Sequence, residues 1–223
     1  MYMIGLVEAS LVTLPEQIQR TRKAVLLSRR FGVPPEYILL DVSLFYEEMR
    51  KFNINPRYGR PDIVHQFLLA SQYSPLNIDG KLRVFIHTAR NELILVKPET
   101  RIPKNYYQFV NLMQRLFMNE QVPDRGEWLI KLKKNTSLDK ALKELGVENP
   151  ILMHEYGETI TCNKAREITY PPNAFLIGGF PKGDFTMETL RLITKKFSIK
   201  KGKRLDAWIV ADRLIACFEG DLS

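Results

Sequence analysis

The stretch of this chain richest in possible chemistry runs from Ala174 to Phe185. Four apolar residues, Ala174 to Ile177, read as a short buried strand, and the chain then breaks into Gly178, Gly179 and Gly183 around Pro181. A glycine turn off the carboxyl end of a buried strand lets backbone amides approach a ligand, because no Cβ stands in the way. Phe180 would supply an apolar wall and Lys182 a positive charge at the rim. The same pattern also serves simply to turn a chain, so alone it does not choose between ligand site and connection. A second cluster is Gly59-Arg-Pro-Asp62. The fork of Arg60 can grip a phosphate or a base edge bidentately, which lysine cannot do, and Asp62 can hold the guanidinium. The plainer alternative is a surface ion pair, with Asp62 capping the helix that follows. Third, Arg101, Lys104 and Gln108 recur three to four residues apart and run into a helical pattern. That spacing puts them near one face, a strip suited to nucleic-acid phosphates, or else a solvated helix start with no partner.

Bulk properties narrow the choices. At 223 residues the chain fits one domain over 1–223, with 45% hydrophobic and 26% charged residues. Lysine plus arginine outnumber acidic residues 33 to 25, a net +8 that favours a polyanionic partner. Cys162 and Cys217 are the only cysteines, and His65, His87 and His154 the only histidines; none has metal-ligand spacing. Two cysteines so far apart suggest a reducing compartment. The start, Met1 to Glu8, lacks the cationic segment and longer apolar core of a signal peptide, and no apolar run approaches a membrane span. A soluble, cytoplasmic protein is expected. A nucleotide hydrolase is disfavoured, because no Gly-x-x-x-x-Gly-Lys-Ser/Thr loop occurs.

Strands alternate with helices along the chain. Strands are expected at Tyr2–Val7, Tyr37–Val42, Trp128–Leu132, Ile151–His154 and Ala174–Ile177, with a hairpin of Lys81–Thr88 and Glu92–Val96. Helices are expected over Pro15–Arg30, Leu44–Phe52, Ile63–Ala70, Tyr106–Met118, Leu138–Leu145 with Gly146 as its stop, a stretch from Thr186, and Leu205–Glu219. That alternation implies an α/β layer structure with a mostly parallel sheet and helices on both faces. The densest charge run, Lys195 to Arg204, is most simply a solvated face, although its place soon after the glycine loop leaves a site role open.

Four motifs occur in order: Gly59-Arg-Pro-Asp-Ile-Val-His65, Ser74-Pro-Leu-Asn77, Val84-Phe-Ile-His-Thr88 and Thr100-Arg-Ile-Pro-Lys104. With them the chain, from Leu6 to Glu219, closely resembles the ribosome-biogenesis pseudouridine-N1 methyltransferases of the SPOUT (trefoil-knot) superfamily, in wording closest to archaeal members. The resemblance implies a SPOUT-type sheet whose C-terminal segment threads a trefoil knot, a rare exception to the rule against threading. It also implies S-adenosylmethionine as cofactor, a homodimer, and methylation of one pseudouridine in small-subunit rRNA, with a role in assembling that subunit and contacts with its assembly proteins.

The resemblance carries over to particular residues. Gly178 and Gly183 align with the cofactor loop. Lys200, Lys201, Gly202, Lys203, Arg204 and Leu205 align with the loop that cradles adenine through backbone contacts, here far more basic than its counterparts. Thr159 aligns with another cofactor contact. Arg60, supported by Asp62, together with Arg101, Lys104 and Gln108, aligns with the RNA contacts; the family is basic at the last three positions, so Gln108 departs from it. Lys182 and Lys203 could instead touch RNA across the mouth of the site. His65 reads as a packed helix residue rather than a base. No general base stands out: Asp62 is a candidate, but a carboxylate paired to Arg60 is a poor proton acceptor. Two other functions fit the same residues, a non-catalytic RNA-binding assembly factor and a SPOUT methyltransferase for another RNA target.

Overall fold

A computed structural model describes residues 1–168 and 173–220. Its centre is one eight-stranded sheet of β1 (Tyr2–Ala9), β2 (Leu82–Thr88), β3 (Leu93–Val96), β4 (Gln121–Val122), β5 (Ile130–Lys133), β6 (Asn149–Thr159), β7 (Asn173–Gly178) and β8 (Lys196–Ser198), in the order β4-β5-β3-β2-β1-β7-β6-β8. β2, β1, β7, β6 and β8 run parallel, and β3, β5 and β4 add an antiparallel edge. β1 is covered on both faces, which explains its unbroken apolar run. Ile4 and Leu6 point into one core, Met3 and Val7 into the other.

The first core is roofed by α4 (Pro61–Gln72), α6 (Tyr106–Asn119) and α10 (Ala207–Glu219), through Phe67, Phe109, Leu214 and Phe218. Burying side chains of this size stabilises by roughly 1.5–3 kcal/mol each. The opposite core takes Leu138, Ala141 and Leu142 from α7 (Leu138–Glu144), and Leu190 of α9 (Met187–Leu192) packs on it. A third cluster joins Leu14 and Ile18 to α2 (Arg22–Phe31) and α3 (Val42–Lys51) through Ala24, Phe45 and Met49. The short helices α1 (Glu16–Gln19), α5 (Pro75–Ile78) and α8 (Cys162–Ile168) complete the set among the described residues. The expected α/β architecture with helices on both faces is present, and Gly146, at φ +70°, follows α7 as anticipated.

Several expectations fail for identifiable reasons. Tyr37–Val42 is not a strand of the sheet. Pro35–Tyr37 forms a 3-10 turn, Leu39 makes one bridge to Thr13, and α3 already starts at Val42 because the Asp41 carboxylate accepts from the Ser43 amide at 2.8 Å. Ile38 and Leu40 are apolar because they fill the third cluster. The helix expected over Pro15–Arg30 is two helices, since Thr21 caps α2 by accepting from the Ala24 amide. β8 lies inside the basic run, where Phe197 and Ser198 are buried, so that run is not simply a solvated face. Cys162 and Cys217 form a disulfide, against the inference drawn from their separation of 55 residues; α8 packs on α10, and distance along the chain says nothing of distance across it. Among the described residues no helix is long and apolar enough to cross a membrane.

Candidate active site

A cleft of about 380 Å³ opens beyond the carboxyl ends of β7 and β8, where open α/β sheets place ligands. Ile177 and Gly178 end β7 on its floor; residues 180–185 form one wall and residues 203–210, with the start of α10, the other. Arg60 reaches it from the loop before α4. Thus Gly178, Gly183, Lys203, Arg204, Leu205 and Arg60 line one cavity, together with Lys182. Thr159, Lys200, Lys201 and Gly202 are outside its lining: Thr159 pairs with Ser198 at the end of β6, and the Gly202 amide donates to the Glu155 carbonyl at 2.7 Å.

The three loop glycines are required for different reasons. A Cβ on Gly178 would stand 2.9 Å from the Phe180 ring and 3.0 Å from that of Phe185, which meet edge to face at 5.1 Å. A Cβ on Gly179 would stand 2.8 Å from Cα of Ala9, so here the plainer reading holds and the glycine serves chain packing. Gly183 sits at φ +88°, which L side chains rarely adopt.

Polar contacts behind and along the cleft hold this loop. Glu8, at the end of β1 with φ +51°, is a non-glycine residue in the left-handed region. Its Oε1 accepts from the amide of Thr186 at 2.9 Å and from its hydroxyl at 2.8 Å, and its Oε2 accepts from Arg57. Arg57 also donates to the Asp184 carbonyl at 2.7 Å. His154 donates from Nε2 to Asp184 Oδ1 at 2.9 Å, while its Nδ1 accepts from the Tyr156 amide at 3.2 Å, which sets the tautomer. On the other wall, Arg204 donates to both carboxylate oxygens of Glu155. Glu8, Arg57 and His154 were not anticipated. One signal was legible: a carboxylate placed directly after the buried run Ile4–Val7, at the carboxyl end of a strand.

Arg60 donates from Nε and Nη2 to the two carboxylate oxygens of Asp62, each at 2.7 Å. Arg60 itself occupies the N-cap position of α4, so Asp62 is not the cap. That hydrogen-bonded pair is the main reason the guanidinium is held above its ordinary pKa; burial opposes it, and Asp206 and Asp41 add to it. Both Asp62 oxygens are engaged, so Asp62 orients Arg60 and is poorly placed to take a proton. The Arg60 amide donates to Ser10 Oγ at 3.0 Å, fixing the loop to the end of β1.

Arg101, Lys104 and Gln108 are all exposed at the start of α6, with the Lys104 ammonium 5.4 Å from the Tyr73 ring centroid. His65 explains why this strip lies beside α4. It donates from Nε2 to the Pro103 carbonyl at 2.7 Å and stacks on Phe109 at 4.4 Å, so it packs, as expected of it. Tyr106 bonds Asp41; burial and that bond push its phenol well above the ordinary value, and the charges of Asp62 and Arg60 reach it.

An S-adenosyl ligand fits this cavity on its own terms. The volume is in the range of small-ligand sites, the Phe180 and Phe185 rings with Ile177 offer apolar surface, and the lining carries the carboxylates of Glu155, Asp184 and Asp206 beside four cationic side chains, a polar rim suited to a zwitterionic ligand.

Residues 4–219 match the model of the EMG1/NEP1 methyltransferase family. The "Ribosomal RNA small subunit methyltransferase Nep1" of Staphylothermus marinus is 38% identical over 213 residues, 95% of this chain and 92% of that protein. The protein of the same name from Pyrobaculum calidifontis is 43% identical over 180 residues, 81% of this chain and 80% of its own. The crystal structure of Archaeoglobus fulgidus Nep1 bound to S-adenosylhomocysteine superposes with a TM-score of 0.84 at 33% identity, covering 98% of this chain and 97% of that one. With the family's model spanning nearly the whole sequence and the fold agreeing over the same length, the chain belongs to the EMG1/NEP1 methyltransferase family.

Proposed function

We propose that the chain, acting as one domain over residues 1–223, is an S-adenosylmethionine-dependent methyltransferase for N1 of a pseudouridine in small-subunit rRNA, working as a homodimer in the cytoplasm during subunit assembly. The observation that carries this reading is the meeting of Arg60, held in its fork by Asp62, with the glycine loop around a single cleft. Membership of the family and the S-adenosylhomocysteine bound to the Archaeoglobus fulgidus relative support the cofactor. The region from Gly178 to Asp206 is read as the trefoil knot, supported by β6 lying between the later strands β7 and β8 while the loops after both face one cleft.

When bound, the cofactor supplies a methyl group already activated on a sulfonium, so the protein's task is positioning. Gly178, Gly183 and the Lys203–Leu205 backbone hold the cofactor against Phe180 and Phe185. Arg60 takes an RNA phosphate or base edge with the part of its fork that Asp62 leaves free, and Arg101 and Lys104 hold the flanking backbone. Together they present an extruded base to the cleft. Pseudouridine exposes a free N1–H because its sugar bond is at C5, and uridine does not. No side chain is assigned as the proton acceptor.

The test is methyl transfer from labelled S-adenosylmethionine to two ribosomal stem-loops that differ only in pseudouridine or uridine at one position. Transfer to the pseudouridine RNA alone is expected. Transfer to both would move the target to another atom, and tight RNA binding without transfer would favour a non-catalytic assembly factor.

A further inference from the structure

The loop that presents Arg60 carries a second arginine, which contacts the cofactor loop. Arg57 lies three residues upstream, and its side chain is only 22% exposed against 9% for its partner Glu8. Its guanidinium makes three contacts, each with a group that shapes the cofactor loop. Nη1 donates to the carbonyl of Asp184, Nη2 donates to Glu8, and the planar group lies 4.1 Å from the centroid of the Phe180 ring. The remaining oxygen of Glu8 holds Thr186, the residue that caps α9. Arg57 and Glu8 do not themselves line the cleft, whereas Phe180 and Asp184 do. Any effect they have on a ligand therefore passes through the loop.

The same short segment is fixed at its other end to the start of α3, just before Arg60. Gly59, at φ +83°, accepts from the Val42 amide at 2.9 Å through its carbonyl, and the next residue is Arg60. Arg57 is thus a bracket between the segment that offers Arg60 and the wall against which a cofactor packs. Only a planar fork can donate in two directions and stack on a ring at once; an ammonium cannot.

We propose that Arg57 is a positioning residue that couples the two halves of the site, so that filling the cleft and capturing RNA at Arg60 strengthen each other. A ligand in the cleft orders the 180–186 wall, Arg57 passes that order to residues 57–60, and RNA then finds Arg60 already placed. The inference rests on the functional reading above. Coupling of this kind is reciprocal: each ligand tightens the other by the same factor.

The experiment measures dissociation constants for S-adenosylhomocysteine and for the pseudouridine stem-loop, each alone and in the presence of the other, by calorimetry. The proteins are the full chain and its Arg57→Met and Arg57→Lys variants. In the unaltered chain each ligand is expected to tighten the other by about tenfold, within the range typical of coupled sites. Both variants are expected to bring that factor close to one and to weaken S-adenosylhomocysteine severalfold. Arg57→Lys, which keeps the charge, should hold RNA affinity in the absence of S-adenosylhomocysteine near the original value. A merely structural arginine would lower both affinities without changing the factor. Wild-type coupling in both variants, or a factor of one in the unaltered chain that still binds both ligands and transfers methyl, overturns the proposal alone. Failure of the unaltered chain to bind S-adenosylhomocysteine would overturn the functional reading and this inference together. The factor measured on the unaltered chain stands even where Arg57→Met does not fold.

Discussion

The two halves of the site are held in place in opposite ways. The cofactor wall is braced at several points: Glu8 and Arg57 are mostly enclosed behind it, His154 is tied to Asp184 along the cleft, and Gly179 lets the loop lie directly on Ala9. The RNA strip is braced from below and bare on top. His65, Phe109 and Tyr106 anchor its backbone, while Arg101, Lys104 and Gln108 extend into solvent. A small ligand that must be aligned to the ångström is met by a wall braced at several points, which the ligand itself then tightens. A long polyanion is met by charges whose work is done through screened, additive contacts. Arg60 belongs to both, lining the cleft while its guanidinium is oriented by Asp62.

The largest effect should come from breaking the braced side. Glu8→Ala leaves Arg57 without its carboxylate and the Thr186 amide without its acceptor, and should cost about 3 kcal/mol of stability, as other broken buried pairs do. Urea unfolding checks this; a midpoint equal to that of the unaltered chain would mean the wall stands without Glu8. Next is the shared residue. Arg60→Ala should weaken binding of the stem-loop by about tenfold or more, as expected for a lost charge-assisted bond, with S-adenosylhomocysteine affinity changed far less. Arg60→Lys should recover little of the loss, since lysine restores charge without the fork. Filter binding of RNA beside calorimetry of the cofactor product separates the two.

Smaller effects belong to the bare side. Arg101→Ala and Lys104→Ala should each lower RNA affinity modestly and reduce the slope of log affinity against log salt by about one. Gln108→Ala should leave that slope alone, and Gln108→Lys should raise it. A slope indifferent to all of these would remove the strip from the RNA footprint.

The smallest effect distinguishes the core from both halves. His87 donates to the Thr136 carbonyl at 2.9 Å, its Nδ1 has no hydrogen-bond partner among the described residues, and burial pushes its pKa below 6.5. The unfolded chain therefore binds the His87 proton first, so stability supplied by the neutral ring is lost as pH falls from above 6.5 through the folded value. Partly buried Glu92, whose pKa is raised mainly by desolvation, works in the opposite sense as pH rises from 4.5. Thermal melts of the unaltered chain and of His87→Asn should diverge in pH dependence in that window, the variant being the flatter.

Much of this was legible before any coordinates. The run Ile4–Val7 and the run Ala174–Ile177 announce strands buried on both faces, because no polar residue interrupts them. Tyr106–Met118 announces a helix through its one-sided apolar spacing. Residues 37–42 misled because apolarity reports burial and not pairing: Ile38 and Leu40 are buried beside α2 and α3 with no ladder to join. Arg60 and Asp62 could be paired from the sequence because only Pro61 separates them, close enough for local geometry to dictate the contact. The Glu8 contacts span 49 residues to Arg57 and 178 to Thr186, and no local rule reaches that far. The sequence by itself therefore determined the alternation of elements, the basic balance, the glycine turn and the Arg60–Asp62 pair, all set by interactions among near neighbours. Only the tertiary structure decided which carboxylate braces the cofactor wall, which glycine serves packing, and that the two cysteines meet, because the sheet order brings the ends of β1 and β7 together and α8 packs on α10.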